Sequence, residues 1–206
     1  MAPDETAPEP VQGDEAEVLL DILDRHRAAL RHKCADLDYP QLNQRLPPST
    51  MTLAGLLKHL AYVESSFFSE DLLGGPLLEP FDTVDWSADP DWEWHSAAQD
   101  SPRQLLTLYD AAVTQSRRIT EDLLDTPEGL DTLAVRPTYL GVPAKMRWIL
   151  VHMIEEYAPS TTATRTSSAS PSTAARDELT AEQSCQPTRS STATSPSESF
   201  AQWAQQ

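Results

Sequence analysis

The chain predicts an all-α protein, an up-and-down four-helix bundle, and three observations carry that prediction. Apolar residues recur at helical spacing in four stretches between Asp14 and Ala158. Clusters of Pro and Gly separate those stretches. No segment shows convincing strand alternation, apart from a short piece near Leu133–Tyr139.

Residues 1–13 are acidic and Pro-rich and read as a disordered leader. From Asp14 to about Leu37 the apolar positions Val18, Leu19, Ile22, Leu23, Leu30 and Leu37 define a first helix, which Pro40, Pro47 and Pro48 end. Thr50 or Thr52 can cap a second helix, running through Leu53, Leu56, Leu57, Leu60, Val63, Phe67 and Phe68 to Gly74-Gly75-Pro76. An acidic, aromatic connection over residues 81–99 follows. Ser101-Pro102 then opens a third helix, with Ser as cap, Pro at the first position and Gln104 completing a capping box. After a connection over residues 126–143, a fourth helix starts near Ala144 with Met146, Trp148, Ile149, Val151 and Met153. The bundle thus covers residues 14–158. Residues 159–206 are mostly Ser, Thr, Ala and Pro and read as a disordered low-complexity tail.

The formal net charge is −17, and residues 1–158 carry 28 of the acidic and 12 of the basic side chains. That balance, with no basic cluster, argues against nucleic acid or an anionic membrane as partner. No apolar run is long enough to span a bilayer, and the N-terminus lacks the character of a secretion signal. Cys34 and Cys185 stand alone, which excludes a Cys-x-x-Cys metal or redox pair. The expected location is the cytoplasm.

Few residues are candidates for chemistry. His59 lies at the edge of the core stripe of the second helix, where a lone histidine is by default a hydrogen-bonded structural residue. On the fourth helix His152 and Glu156 are spaced i, i+4 and share one face, so one helix can offer two ligands to a single ion. The same spacing also suits an ordinary surface pair. Trp86, Trp92 and Trp94, set among Asp85, Asp89, Asp91 and Glu93, read as anchors folding a loop over the bundle; the competing reading is a pocket lining. Arg117, Arg118 and Arg147 read as solvated helix positions, and Cys34 as a core thiol.

Three segments together carry a family resemblance. Thr52-Leu-Ala-Gly-Leu-Leu-Lys-His59-Leu-Ala-Tyr-Val-Glu64, the Trp-rich acidic connection with the Ser101-Pro-Arg-Gln-Leu-Leu helix, and Met146-Arg-Trp-Ile-Leu-Val-His152-Met-Ile-Glu-Glu156-Tyr-Ala resemble the DinB-like superfamily. Within it they are most similar to an actinobacterial branch known as mini-circle proteins. The resemblance covers roughly residues 14–158. It implies a four-helix bundle, often dimeric, and a divalent metal (Zn, Ni or Fe) held by a His on the second helix and two ligands at i, i+4 on the fourth. Some relatives are transferases or isomerases that use mycothiol or bacillithiol with a small-molecule substrate. By that match His59 is the first ligand and Glu156 the second. The third falls at position 160, where this chain has Ser160 and relatives continue R-H-N-G-H-A-D-L. His152 is then a substitute third ligand.

The tail bears on that loss. With ordinary GC-rich codons, Pro159 to Ala174 can be back-translated so that a reading begun two bases in spells V-H-N-G-H-A-D-L-I-R-E-S-I-D-G. A small insertion or deletion near codon 159 accounts for this; a genuine Ser/Thr/Pro-rich tail is the alternative. Because Pro159 disfavours helix in its predecessor and the Ser/Thr run favours turns, the fourth helix is expected to end within a turn of Ala158. Three readings of function stand open: a metal-dependent enzyme, a helical bundle that only binds, and a frameshifted product without activity.

Overall fold

The computed structural model describes residues 12–45 and 50–167, with residues 159–167 described by backbone alone. The elements, in chain order, are α1 (Glu15–Cys34), α2 (Tyr39–Leu42), α3 (Leu53–Ser65), α4 (Trp92–Ser96), α5 (Pro102–Leu124) and α6 (Met146–Ser167). The four long helices α1, α3, α5 and α6 form the bundle. Helix α3 packs chiefly on α5 and α1 chiefly on α6, while α3–α6 and α1–α5 contacts close the ring. Among the described residues there is no strand. The stretch near Leu133–Tyr139 contributes only an isolated bridge from Leu133 to Lys145, because two of its other N–H groups bond to the helical segment that follows α3, Val135 N–H to Leu72 O and Arg136 N–H to Asp71 O.

Helix starts follow local chemistry. Asp14 and Glu17 form a reciprocal capping box on α1, and Ser101 and Gln104 form the expected one on α5. Thr52, not Thr50, caps α3, its hydroxyl accepting from Gly55 N–H at 3.0 Å. Helix α3 continues as a π-helical segment, Ser66–Leu72, and stops at Gly74, whose φ of 68° closes the turn that its N–H makes to Glu70 O.

Helix α3 is the buried one: every residue except Tyr62 is buried. A helix apolar on all sides belongs in a core, yet α3 carries Lys58, His59 and Glu64 there. A buried charge must be paired, and each of the three is. Glu64 receives both arms of the Arg27 guanidinium, Nε to Oε1 and Nη2 to Oε2, each at 2.7 Å. Tyr157 Oη donates to Glu64 Oε1 at 2.9 Å, Arg27 Nη2 donates to Ser116 Oγ at 3.1 Å, and Tyr109 Oη donates to Arg27 O at 3.2 Å. This network takes one or more members from each of α1, α3, α5 and α6. Burial pushes the Tyr109 and Tyr157 phenols up, so both stay protonated donors.

The C-terminal end departs from expectation. Helix α6 runs to Ser167 instead of stopping within a turn of Ala158. A proline removes its own N–H from the ladder and crowds the carbonyl four residues back, at a cost of about 3 kcal/mol in a helix interior. An already nucleated helix gains a bond with each added residue and can run through it. Within residues 146–158 of α6, Met146, Ile149, Leu150, Met153 and Tyr157 are buried. The leader, apart from residues 12 and 13, and the tail from 168 to 206 lie outside the described residues.

Two predictions follow from this packing. Glu64→Ala leaves the Arg27 charge buried and is expected to cost about 3–5 kcal/mol in chemical denaturation, whereas Arg27→Met with Glu64→Leu recovers most of it; equal losses in the two variants would contradict the role of the pair. The second concerns Asp71, whose carboxyl is raised to about 6 by burial and then by Glu70, against Arg136. A raised folded pKa contributes stability below the unfolded value of 3.8 that is lost as pH rises through about 6. Asp71→Asn should therefore stabilise the fold at about pH 7.5, with a gain that shrinks towards about pH 4.5.

Candidate functional site

Where α3, α4 and α6 meet, polar groups converge on His59. Its imidazole stacks on Trp94, ring centroids 4.6 Å apart and planes 24° from parallel. Trp94 can lie there because residue 55 is glycine: a Cβ at that position would come 2.7 Å from Trp94 Cε3. On one edge of the imidazole, Nδ1 lies 3.0 Å from Glu93 Oε1. On the other, Nε2 faces Glu156 Oε2 at 3.6 Å. Glu93 was not distinguishable in the sequence from the acidic residues around it. It stands 34 residues from His59, and no periodicity links the two.

Helix α6 holds Glu156 from its other side. His152 Nε2 lies 3.1 Å from Glu156 Oε1, one helical turn away, as the i, i+4 spacing predicts. The His152 ring is fixed among aromatics: it stacks on Trp148 at 4.7 Å, meets the edge of Phe67 at 5.1 Å and lies 5.7 Å from Tyr139.

Burial opposes charge on all three groups, and their mutual contacts outweigh it. Desolvation pulls the His59 ring down, but the Glu156 and Glu93 carboxylates raise it to about 9. Desolvation pushes the Glu156 carboxyl up, but His152 and His59 lower it to about 2. His152 is likewise raised, Glu156 outweighing its burial. Without a metal, the site is therefore the Glu156 carboxylate set between the His59 imidazolium and the His152 ring at neutral pH.

The structure thus brings His59, His152 and Glu156 together, but not onto one point. The two histidines address different oxygens of Glu156. Among the described residues no three His, Cys, Asp or Glu side chains are arranged to hold a metal ion. Position 160 lies one helical turn beyond Glu156 in α6.

The remaining candidates have ordinary partners. Trp86 packs on Tyr62 at 4.4 Å, and Lys58 Nζ sits 4.2 Å over the ring of Trp92 while bonding Asp100 Oδ2 at 2.6 Å. The tryptophans act as anchors. Arg117 bonds Asp24 at 3.0 Å, Arg118 is exposed beside Asp122, and Arg147 reaches Glu15 and Asp131 at 3.4 and 3.6 Å. Cys34 is buried, and burial pushes its thiol up to about 12, which makes it unreactive.

A family model, mycothiol S-transferase, matches residues 18–159. The chain belongs to the mycothiol S-transferase family. This is a DinB-like family, so the match agrees with the superfamily resemblance seen in the sequence. The match ends at Pro159, one residue before Ser160. No curated protein and no solved structure matches the chain. Among the described residues of this family member, no helix is long and apolar enough to cross a membrane.

Gly55→Ala tests how the site is built. The added methyl must displace Trp94 from His59, with an expected loss of about 1–3 kcal/mol from overpacking and a shift in Trp fluorescence. Unchanged emission and stability would show that the Trp94–His59 stack does not depend on that close approach.

Proposed function

We propose that this mycothiol S-transferase family member is a thiol-dependent transferase whose divalent metal is held by His59 and Glu156, and that it lacks the third protein ligand. One observation supports the metal most directly. With Nδ1 engaged by Glu93, His59 directs Nε2 at Glu156 Oε2, which has no hydrogen-bond partner among the described residues. The separation of 3.6 Å exceeds the usual span of a hydrogen bond, about 2.7–3.2 Å. Two ligands each about 2.1 Å from a tetrahedral ion stand about 3.4 Å apart. The donor set, one imidazole nitrogen and one carboxylate oxygen, suits Zn, Ni or Fe.

A bound ion would supply Lewis acidity, lowering the pKa of a coordinated thiol so that its sulfur is the nucleophile at neutral pH. The chain's own residues supply the rest. Glu93 and Trp94 fix the His59 ring. His152, itself held by Trp148 and Phe67, fixes Glu156 through Oε1. Trp94, buried and stacked on the His59 imidazole, covers one face of that ligand.

The missing ligand has a source in the reading frame. The family match ends at Pro159, position 160 is serine, and the tail can be read in another frame as a His-containing family ending. We read the tail as out of frame from about codon 159. Sequencing the gene across that codon tests this, and codons incompatible with the second frame would refute it.

Metal binding tests the site itself. The chain as it stands is expected to bind Zn weakly, Ser160→His to bind it about tenfold more tightly or better, equivalent to about 1.4 kcal/mol, and His59→Ala to lose it in either background. Calorimetric titration with Zn decides. Tight, stoichiometric binding that survives His59→Ala would sink the proposed site.

A further inference from the structure

Histidine 59 stands between two carboxylates, and a neutral imidazole has one N–H to give. Glu93 is the nearer, 3.0 Å from Nδ1, against 3.6 Å from Nε2 to Glu156. If the proton sits on Nδ1, Nε2 turns a lone pair towards Glu156 and can act as an electron-pair donor. If it sits on Nε2, the nitrogen nearest Glu156 is blocked. The tautomer therefore decides whether these two helices can share a ligand at all.

The placement of Glu93 is held by more than this one bond. The residue is 3% exposed, and its second oxygen has no hydrogen-bond partner among the described residues. A carboxylate this buried is costly unless something cationic or donating faces it. Its neighbours grip α3 at His59 and in the turn before it. Trp94 stacks on the imidazole and packs against Gly55, and Trp92 lies under Lys58 Nζ. Lys58 is tied in turn to Asp100, just beyond α4. Trp92, Glu93 and Trp94 thus clamp this turn to α3 at Gly55, Lys58 and His59.

We propose that Glu93 is a positioning residue that keeps the proton of neutral His59 on Nδ1 and so presents Nε2 to Glu156. Its use in ligation rests on the metal reading above; the tautomer itself does not. The acidic, Trp-bearing segment is then part of the site and not merely a cover over the bundle. Glu93 touches neither substrate nor ion and acts through His59.

The test uses the full chain labelled with ¹⁵N-histidine, observed by long-range ¹H–¹⁵N correlation at about pH 10, above the His59 value of about 9. The unmodified protein should show a protonated Nδ1 and a bare Nε2. Glu93→Ala removes the nearer of the two described carboxylates and keeps Glu156, so the proton should move towards Nε2. Glu93→Gln keeps the shape and loses the charge, and should raise the fraction of the Nε2–H form. In the Ser160→His background, Zn affinity should fall by about 10–100-fold in Glu93→Ala, and by less in Glu93→Gln. A proton that stays on Nδ1 in Glu93→Ala overturns the proposal. Should that variant fail to fold, an unchanged tautomer ratio in folded Glu93→Gln overturns it instead. Absence of Zn binding in Ser160→His with Glu93 intact would defeat the metal reading alone, and the tautomer measurement would still decide the role of Glu93.

Discussion

The bidentate pair between Arg27 and Glu64 is the constraint on which the rest of the bundle depends. A carboxylate with no exposed surface on the central helix is tenable only if its lone pairs are filled. Arg27 from α1 and Tyr157 from α6 fill them, and Ser116 of α5 binds the same guanidinium. An apolar core of the same volume could slide by a turn with little change in area buried. These hydrogen bonds cannot, because each has one geometry and a large penalty for being left open. The pair thereby fixes the register of all four long helices.

The site inherits that register. Tyr157 and Glu156 are adjacent on α6, and the first is bonded to Glu64 while the second faces His59. His59 and Glu64 lie on the same helix, little more than one turn apart. Anchoring Tyr157 thus brings Glu156 opposite the imidazole, and His152 holds its other oxygen. The same logic explains why a helix so fully buried carries three polar residues. Lys58 is neutralised by Asp100, Glu64 by Arg27, and His59 lies between two carboxylates.

Much of this was legible in the sequence because it rests on local periodicity. The capping box at Ser101, the Gly74-Gly75 stop and the His152–Glu156 pairing follow from spacing along one helix, and the structure contains each. His59 could be selected because it interrupts an apolar stripe. The end of α6 was misjudged because proline and Ser/Thr preferences are local, whereas helix continuation also depends on a turn already formed. Arg27 and Glu93 carried no local signal: each looked like one charged residue among many on an acidic chain.

The sequence by itself determined the helical class, the divisions between helices, the family and the pair of α6 residues that share a face. It also showed that position 160 is serine. Only the tertiary structure decided which charges are buried and with whom. It took Glu93 out of an acidic loop and set it against His59, and it took Arg27 off an apparently amphipathic face and set it against Glu64. The physical reason is the range of the interactions. Periodicity and capping act over four residues or fewer, whereas the partner of a buried charge is chosen by packing between helices that lie far apart in the chain.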